Sequence, residues 1–138
     1  MQPEVEAAAP VEREETAVMF IRVADELPEM QQAWPRLEEL VGMKGRRFYG
    51  AFHPSTREYW VCTELEDGDE PDTLGLETGS LPGGRFLRAR LKGEPPAVYE
   101  RIGPIFGELV QRAAHDEARP SIEFYRSFGE IDLLLPLA

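Results

Sequence analysis

One cysteine, Cys62, stands in 138 residues, so no internal disulfide can form and a disulfide-stapled secreted scaffold is excluded. The two histidines, His53 and His115, lie far apart in sequence, and with a single cysteine they offer no zinc spacing. Both are expected to be solvated loop residues. Basic side chains are few: 15 Lys and Arg against 26 Asp and Glu leave a net charge of −11. Nucleic-acid binding through phosphates needs a basic face, and this field opposes it. It raises the local concentration of cations instead. Asparagine is absent and carries no functional reading. No stretch approaches the ~20 consecutive apolar residues of a membrane-spanning helix. The opening MQPEVEAAAPVEREE is acidic and lacks the basic and apolar segments of a signal peptide, so a cytoplasmic protein is expected. Gly83-Gly84 reads as a turn before a strand rather than a phosphate loop, and no G-x-S-x-G elbow occurs. Neither cofactor nor metal is expected.

What remains is an ordinary globular composition, 42% hydrophobic, in a length that suits one domain. A chain of this size buries roughly two-thirds of its unfolded surface, enough for a core without staples. Its most informative feature is internal similarity. Phe20-Ile21-Arg22-Val23 matches Phe86-Leu87-Arg88-Ala89, and Pro35–Val41 matches Pro104–Val110. Phe48-Tyr49-Gly50-Ala51-Phe52 matches Phe124-Tyr125-Arg126-Ser127-Phe128, and Glu58–Val61 runs parallel to Glu130–Leu133. Four blocks in one order, at offsets of 66, 69, 76 and 72, predict a duplicated unit rather than a solenoid.

Each copy reads as strand, helix, strand, strand. Thr16–Val23 is rich in β-formers. Leu27, Met30, Trp34, Leu37 and Val41 then follow at helical spacing, with Pro28 suited to the first turn and Gly42 or Gly45 to the end. Arg46–Phe52 and Glu58–Leu65 predict a hairpin. The second copy uses Arg85–Leu91, a helix from Pro96 to about Ala114, then Ser121–Arg126 and Glu130–Leu137. Pro35 and Pro104 fall inside these helices and predict a kink in both, or else two shorter pieces each. The expected organisation is a flexible acidic tail over 1–13 and a single domain over 14–138. Repeat one spans about 16–65, a surface linker 66–80, and repeat two about 84–137. The fold class is α+β: two pseudo-two-fold repeats sharing an antiparallel sheet, with two long helices and a groove between the halves.

Three stretches resemble the GyrI-like small-molecule-binding domains, found as effector-binding domains of AraC- and MerR-type regulators and as stand-alone proteins. They are YGAFHPSTREYWVCTEL from Tyr49 to Leu65, LPGGRF from Leu81 with Lys92-Gly93, and PSIEFY from Pro120 with IDLLLPL from Ile131. The resemblance covers Thr16 to Leu137. It implies two strand–helix–strand–strand units with a ligand groove between them and Glu123 as the groove's carboxylate. One position departs from the family pattern, Gly103 in the second helix where the first has Trp34.

Strand alternation independently sets Glu123 and Tyr125 on one face of their strand and Ile122 with Phe124 on the other. A carboxylate buried there without a partner is costly, and its pKa rises. Aromatic faces around it favour flat cations, worth about 0.5–2 kcal/mol each. Tyr125, Tyr49, Tyr99, Trp34, Phe106 and Trp60 are the candidate rings, with Met19 and Met30 as adaptable fillers. The structural alternative pairs Glu123 with Arg47, Arg85 or Arg88. Asp132 is expected either at the family's acidic position or in an outward salt pair. The leading expectation is a stand-alone binder of hydrophobic, cationic small molecules, monomeric or homodimeric, without a helix-turn-helix. A second is a hydrolase of strained cyclopropane-type electrophiles, with Glu123 as general acid/base and Tyr125 or Tyr99 donating a hydrogen bond. A third is a protein-interaction module of the gyrase-inhibitor kind.

Overall fold

A computed structural model describes residues 4–138. In chain order the elements are β1 (Glu4–Arg13), β2 (Thr16–Ala24), α1 (Leu27–Val41), β3 (Phe48–His53), β4 (Glu58–Glu64) and a single turn α2 (Pro71–Leu74). There follow β5 (Glu77–Leu81), β6 (Gly84–Lys92), a 3-10 segment (Ala97–Arg101), α3 (Ile102–Arg112), β7 (Ser121–Ser127) and β8 (Glu130–Pro136). All eight strands join one antiparallel sheet in the order β1-β6-β8-β7-β3-β4-β2-β5. The order is symmetric about the β7–β3 pair: β6-β8-β7 on one side answers β2-β4-β3 on the other. The fold is α+β, as the repeat predicted.

Two segments differ from expectation. The acidic N-terminus is not a tail: Glu4–Arg13 forms β1, paired along β6 with a bulge between Glu6 and Ala9. Met1–Pro3 lie outside the described residues. The linker, read as a surface loop with room for a short extended piece, holds a paired strand: Glu77–Leu81 forms β5 along the outer side of β2. The repeat is therefore one strand longer than its sequence signal, and the extra strands are exchanged. The first strand of each half, β1 or β5, pairs with the second strand of the other half.

This exchange dictates the sheet's shape. In a flat sheet β1 and β2 would stand six strand spacings apart, about 29 Å. Only Glu14 and Glu15 join them, a reach of about 11 Å. Pro82-Gly83 makes the equivalent short join from β5 to β6. The sheet must roll until its two edges meet, and the two joins then press together. A Cβ on Gly83 would lie 2.7 Å from the Arg13 carbonyl oxygen and 2.8 Å from the Glu15 nitrogen. Inside the roll sit Val18, Phe20, Tyr49, Cys62, Leu81, Phe86, Ile122 and Leu134, all buried, from both ends of the strand order. The outer face carries two further clusters. α1 covers Met19, Tyr59 and Val61, and α3 covers Ala89, Leu91, Ile131 and Leu133.

The helices also differ from one another. α1 is continuous through Pro35, begins with Pro28 in its first turn and stops at Gly42, whose φ of 76° favours glycine. The second helix is two pieces, the 3-10 segment and α3, which places Pro104 in α3's first turn where its missing N–H costs nothing. The expected matched pair of interior prolines is thus met in α1 alone.

Arg119 locks the corner where the edges meet. It stacks over Phe86, pairs with Asp116 at 3.0 Å, and donates to the carbonyls of Gly83, Arg85 and Leu137. Arg119→Ala leaves those carbonyls short of a donor. It should lower stability by about 1–2 kcal/mol in urea unfolding.

Candidate functional site

Glu123 lies at the centre of the sheet, where β7 meets β3, and its ladder partner is Gly50. Its side chain points to the outer, helix-bearing face between the α1 and α3 clusters. Two phenols donate to the same carboxylate oxygen: Tyr59 Oη at 2.7 Å and Tyr125 Oη at 2.6 Å from Oε1. Among the described residues no side chain bonds Oε2, and no basic side chain pairs with the carboxylate. Arg47 turns away to Glu64, 3.5 Å. Arg85 and Arg88 make no ion pair with Glu123, so the structural alternative of a Glu–Arg pair is set aside.

The electrostatics follow from this arrangement. Burial pushes the Glu123 carboxyl above the ordinary glutamate range, the two phenol hydrogen bonds oppose the shift, and the charge of Asp25 adds to it. The Tyr59 and Tyr125 phenols are in turn held well above their usual value by burial and by the Glu123 charge, so both stay protonated donors. The result is an ionisable carboxylate whose charge is shared with two neutral donors and balanced by no cation.

Rings enclose it. Trp34 from α1 meets Tyr125 edge-on with centroids 5.1 Å apart, and Tyr99 from the 3-10 segment meets the same ring at 6.3 Å. Phe106 of α3 packs against the same cluster as Tyr125. Tyr99 is the outermost, 48% exposed. It stands on the short 3-10 segment Ala97–Arg101, whose hydrogen-bond geometry is poorer than that of an α-helix. Two surface cavities, about 500 Å³ by Arg13, Arg47 and Tyr49 and about 230 Å³ between β1 and α3, do not reach Glu123. Glu123, Tyr125 and Trp34 are each part-buried.

Of the residues singled out from the sequence, Glu123, Tyr125, Trp34, Tyr99 and Phe106 come together here. Met30 packs near Trp34 under α1, while Met19 is fully buried core on the same face. Tyr49 and Trp60 do not belong to the site. They point into the roll, Tyr49 stacked on Phe124 at 4.9 Å and Trp60 on Phe20 at 3.8 Å. His53 is no solvated loop residue either: it packs against Trp60, and burial lowers its pKa. Asp132 is buried inside the roll, held by Arg90 at 2.7 Å, with Arg126 at 3.6 Å.

Tyr59 is the residue that sequence reasoning missed. Only 3% exposed, it carries half of the hydrogen bonding to Glu123. Its signal was present: alternation on β4 sets Tyr59 with Val61 and Thr63 on the face that holds Gly50, and a glycine diagonal to a tyrosine leaves room for the ring to cross it. The hairpin registers add a reason for the lone carboxylate. With Tyr59 and Ile131 as counterparts, Phe52 answers Tyr125 and Gly50 answers Glu123. Gly50 and Glu123 also face each other in the ladder, so the two equivalent positions share one space. One side chain fills it and the other residue has none.

No protein-family model and no curated protein sequence matches the chain. Solved structures share its fold at low sequence identity. An integron cassette protein from the mobile metagenome of Vibrio cholerae aligns over 100% of both chains at TM-score 0.77 and 14% identity. SAV2435, in a structure bound to tetraphenylphosphonium, aligns over 96% of this chain and 94% of its own at TM-score 0.66 and 13% identity. A hydrolase from Listeria innocua aligns over 99% and 92% at TM-score 0.54 and 11% identity. What these likenesses establish is the fold: the chain shares the architecture of a protein that holds an aromatic cation.

Proposed function

We propose that the protein binds hydrophobic aromatic cations at Glu123 as a ligand-binding domain of the GyrI-like kind. One observation carries the reading: a part-buried carboxylate flanked by aromatic rings and bonded by two phenols, with no basic partner among the described residues. Burying such a charge unpaired is costly. A flat or aryl-bearing cation offsets that cost through the free Oε2 and through attraction to the faces of Trp34, Tyr99 and Tyr125. The tetraphenylphosphonium held by SAV2435 on a similar fold supports the same ligand class. The net charge of −11 favours cation approach.

The Listeria innocua hydrolase supports a second reading, in which Glu123 activates water or protonates a strained electrophile. Burial raises the Glu123 carboxyl and the two phenols donating to Oε1 oppose that rise, so its basicity serves either reading and turnover decides between them.

Titration with tetraphenylphosphonium, set beside neutral triphenylphosphine oxide, tests the proposal. Saturable binding of the cation with little response to the oxide is the expected result. No binding at high micromolar concentration would sink it. Turnover of a cyclopropane-bearing electrophile, abolished by Glu123→Ala in a folded protein, would favour the hydrolase.

A further inference from the structure

The duplication is broken at one corner of the roll. The strand registers give each residue of one half a counterpart in the other. Leu81 ends β5 opposite Thr16 as Arg13 ends β1 opposite Gly84, and Val18 faces Glu64 as Phe86 faces Pro136. Arg13 therefore answers Leu81, and Glu64 answers Pro136. With Gly50 answering Glu123, Tyr49 answers Ile122 and Arg47 answers Pro120. The second set is apolar and closed: Leu81, Pro120, Ile122 and Pro136 are all buried. The first set is polar and lines an open cavity of about 500 Å³.

That corner gathers hydrogen-bond donors. The Arg13 guanidinium lies 5.3 Å from the centroid of the Phe124 ring and 6.0 Å from that of Tyr49, and it forms no ion pair among the described residues. Arg47 meets Glu64 at 3.5 Å. Its backbone is pinned, the carbonyl accepting from the Glu64 N–H and the Thr63 hydroxyl, both at 3.0 Å. Tyr49 is only 2% exposed yet lines the cavity, and the proton of its hydroxyl has no acceptor among the described residues. Burial and then the Glu64 charge raise this phenol above its usual value, while Arg13 and Arg47 act against them. It is a neutral donor within reach of two guanidinium charges. Glu12 and Glu14, both exposed, line the same cavity.

We propose that this cavity is a second ligand site, for small amino-carboxylates, with Arg13, Arg47 and the Tyr49 hydroxyl holding the carboxylate and Glu64, Glu12 and Glu14 facing the ammonium group. The site is separate from Glu123 and does not depend on the reading of that residue. A guanidinium offers a carboxylate two parallel N–H donors, and packing over Phe124 fixes its plane. A plain anion meets the glutamates of the cavity and the net charge of −11, whereas a ligand with its own positive group matches both signs. The place suits a ligand as well, because small-molecule sites favour the mouths of closed sheets.

Calorimetric titration with glycine, γ-aminobutyrate and ε-aminohexanoate, set beside hexanoate and hexylamine, tests this in wild type, Arg13→Leu and Tyr49→Phe. Arg13→Leu installs the residue that the other half carries. Tyr49→Phe keeps the ring stacked on Phe124 and removes only the hydroxyl. Both should fold, and thermal unfolding checks it. The best-matched amino-carboxylate should bind wild type at least about tenfold more tightly than either singly charged compound, with a loss on added salt. Arg13→Leu should weaken it by about tenfold or more, and Tyr49→Phe by about threefold to tenfold. Hexanoate binding as tightly as ε-aminohexanoate would show that the glutamates play no part and would overturn the assignment. So would unchanged binding in both folded variants, or no saturable binding of any amino-carboxylate at millimolar concentration. None of these outcomes touches the cation site, which tetraphenylphosphonium reads separately.

Discussion

Glu123→Gln should lower affinity for an aromatic cation between tenfold and a hundredfold and leave a neutral analogue of the same shape almost unaffected. The expectation follows from removing a charge-assisted contact worth about 1.5–3 kcal/mol while keeping side-chain volume and the acceptor oxygen facing Tyr59 and Tyr125. Stability should move the other way. Burial holds the folded carboxyl above the ordinary glutamate range. A group raised on folding contributes stability that is full below its unfolded pKa and is lost as pH rises through the folded one. At neutral pH the ionised Glu123 is therefore a burden that Gln lacks. The variant should unfold at an equal or higher temperature than wild type at pH 7, and the difference should close towards pH 4. Cation affinity has the opposite dependence, strong at neutral pH and declining on the acid side as Glu123 gains its proton. Calorimetric titration and thermal unfolding across that range read both. A variant that loses stability at neutral pH and binds the cation as before would show that the carboxylate serves packing alone.

The particular elements show what kind of information a sequence carries. β2, α1, β3, β4, β6, β7 and β8 were legible because each has its own apolar period, and the duplicated blocks confirmed one copy by the other. β1 has no such period: EVEAAAPVER is mostly exposed and becomes a strand because β6 offers it an edge. β5, with Thr, Gly and Ser in five residues, depends likewise on β2. Both are edge strands made by pairing between halves, which local propensity does not encode. The match of FYGAF with FYRSF misled for a different reason. Phe48 packs by Trp34 on the helix face while Phe124 stacks on Tyr49 inside the roll, so the identical letters lie on opposite faces. An odd shift in a strand exchanges its faces, and letter identity cannot detect that. Tyr49, named among the candidate rings, lies on the inner face with Phe124. Glu123 and Tyr125 were legible from alternation within one strand, whereas Tyr59 depended on the register between strands.

Gly50→Ala should be among the most damaging single substitutions in the chain, although it adds only a methyl group. Its Cβ would fall on the Tyr59 hydroxyl, 2.7 Å from Tyr59 Cζ and 2.7 Å from Glu123 Oε1. Tyr59 is a rigid, buried ring and cannot retreat as a flexible chain end would. Either the β3–β7 pairing opens or the ring leaves, and the second choice strips Glu123 of one donor while its burial persists. Overpacking of this kind costs about 1–3 kcal/mol, and the lost charge-assisted hydrogen bond adds about 1.5–3 kcal/mol. A fall of about 3–5 kcal/mol in urea unfolding is expected, along with loss of cation binding in whatever protein remains folded. A double-mutant cycle isolates the cause. Tyr59→Ala is itself destabilising, by about 3 kcal/mol or more, but it vacates the space that a Cβ at position 50 needs. Gly50→Ala should then cost less than about 1 kcal/mol in the Tyr59→Ala background, the coupling expected of two positions that meet each other and the same Glu123 oxygen. Equal costs in both backgrounds would mean that the glycine is kept for its backbone and not for the tyrosine. The centre of the duplicated sheet would then need another account of why one half supplies an acid and the other supplies nothing.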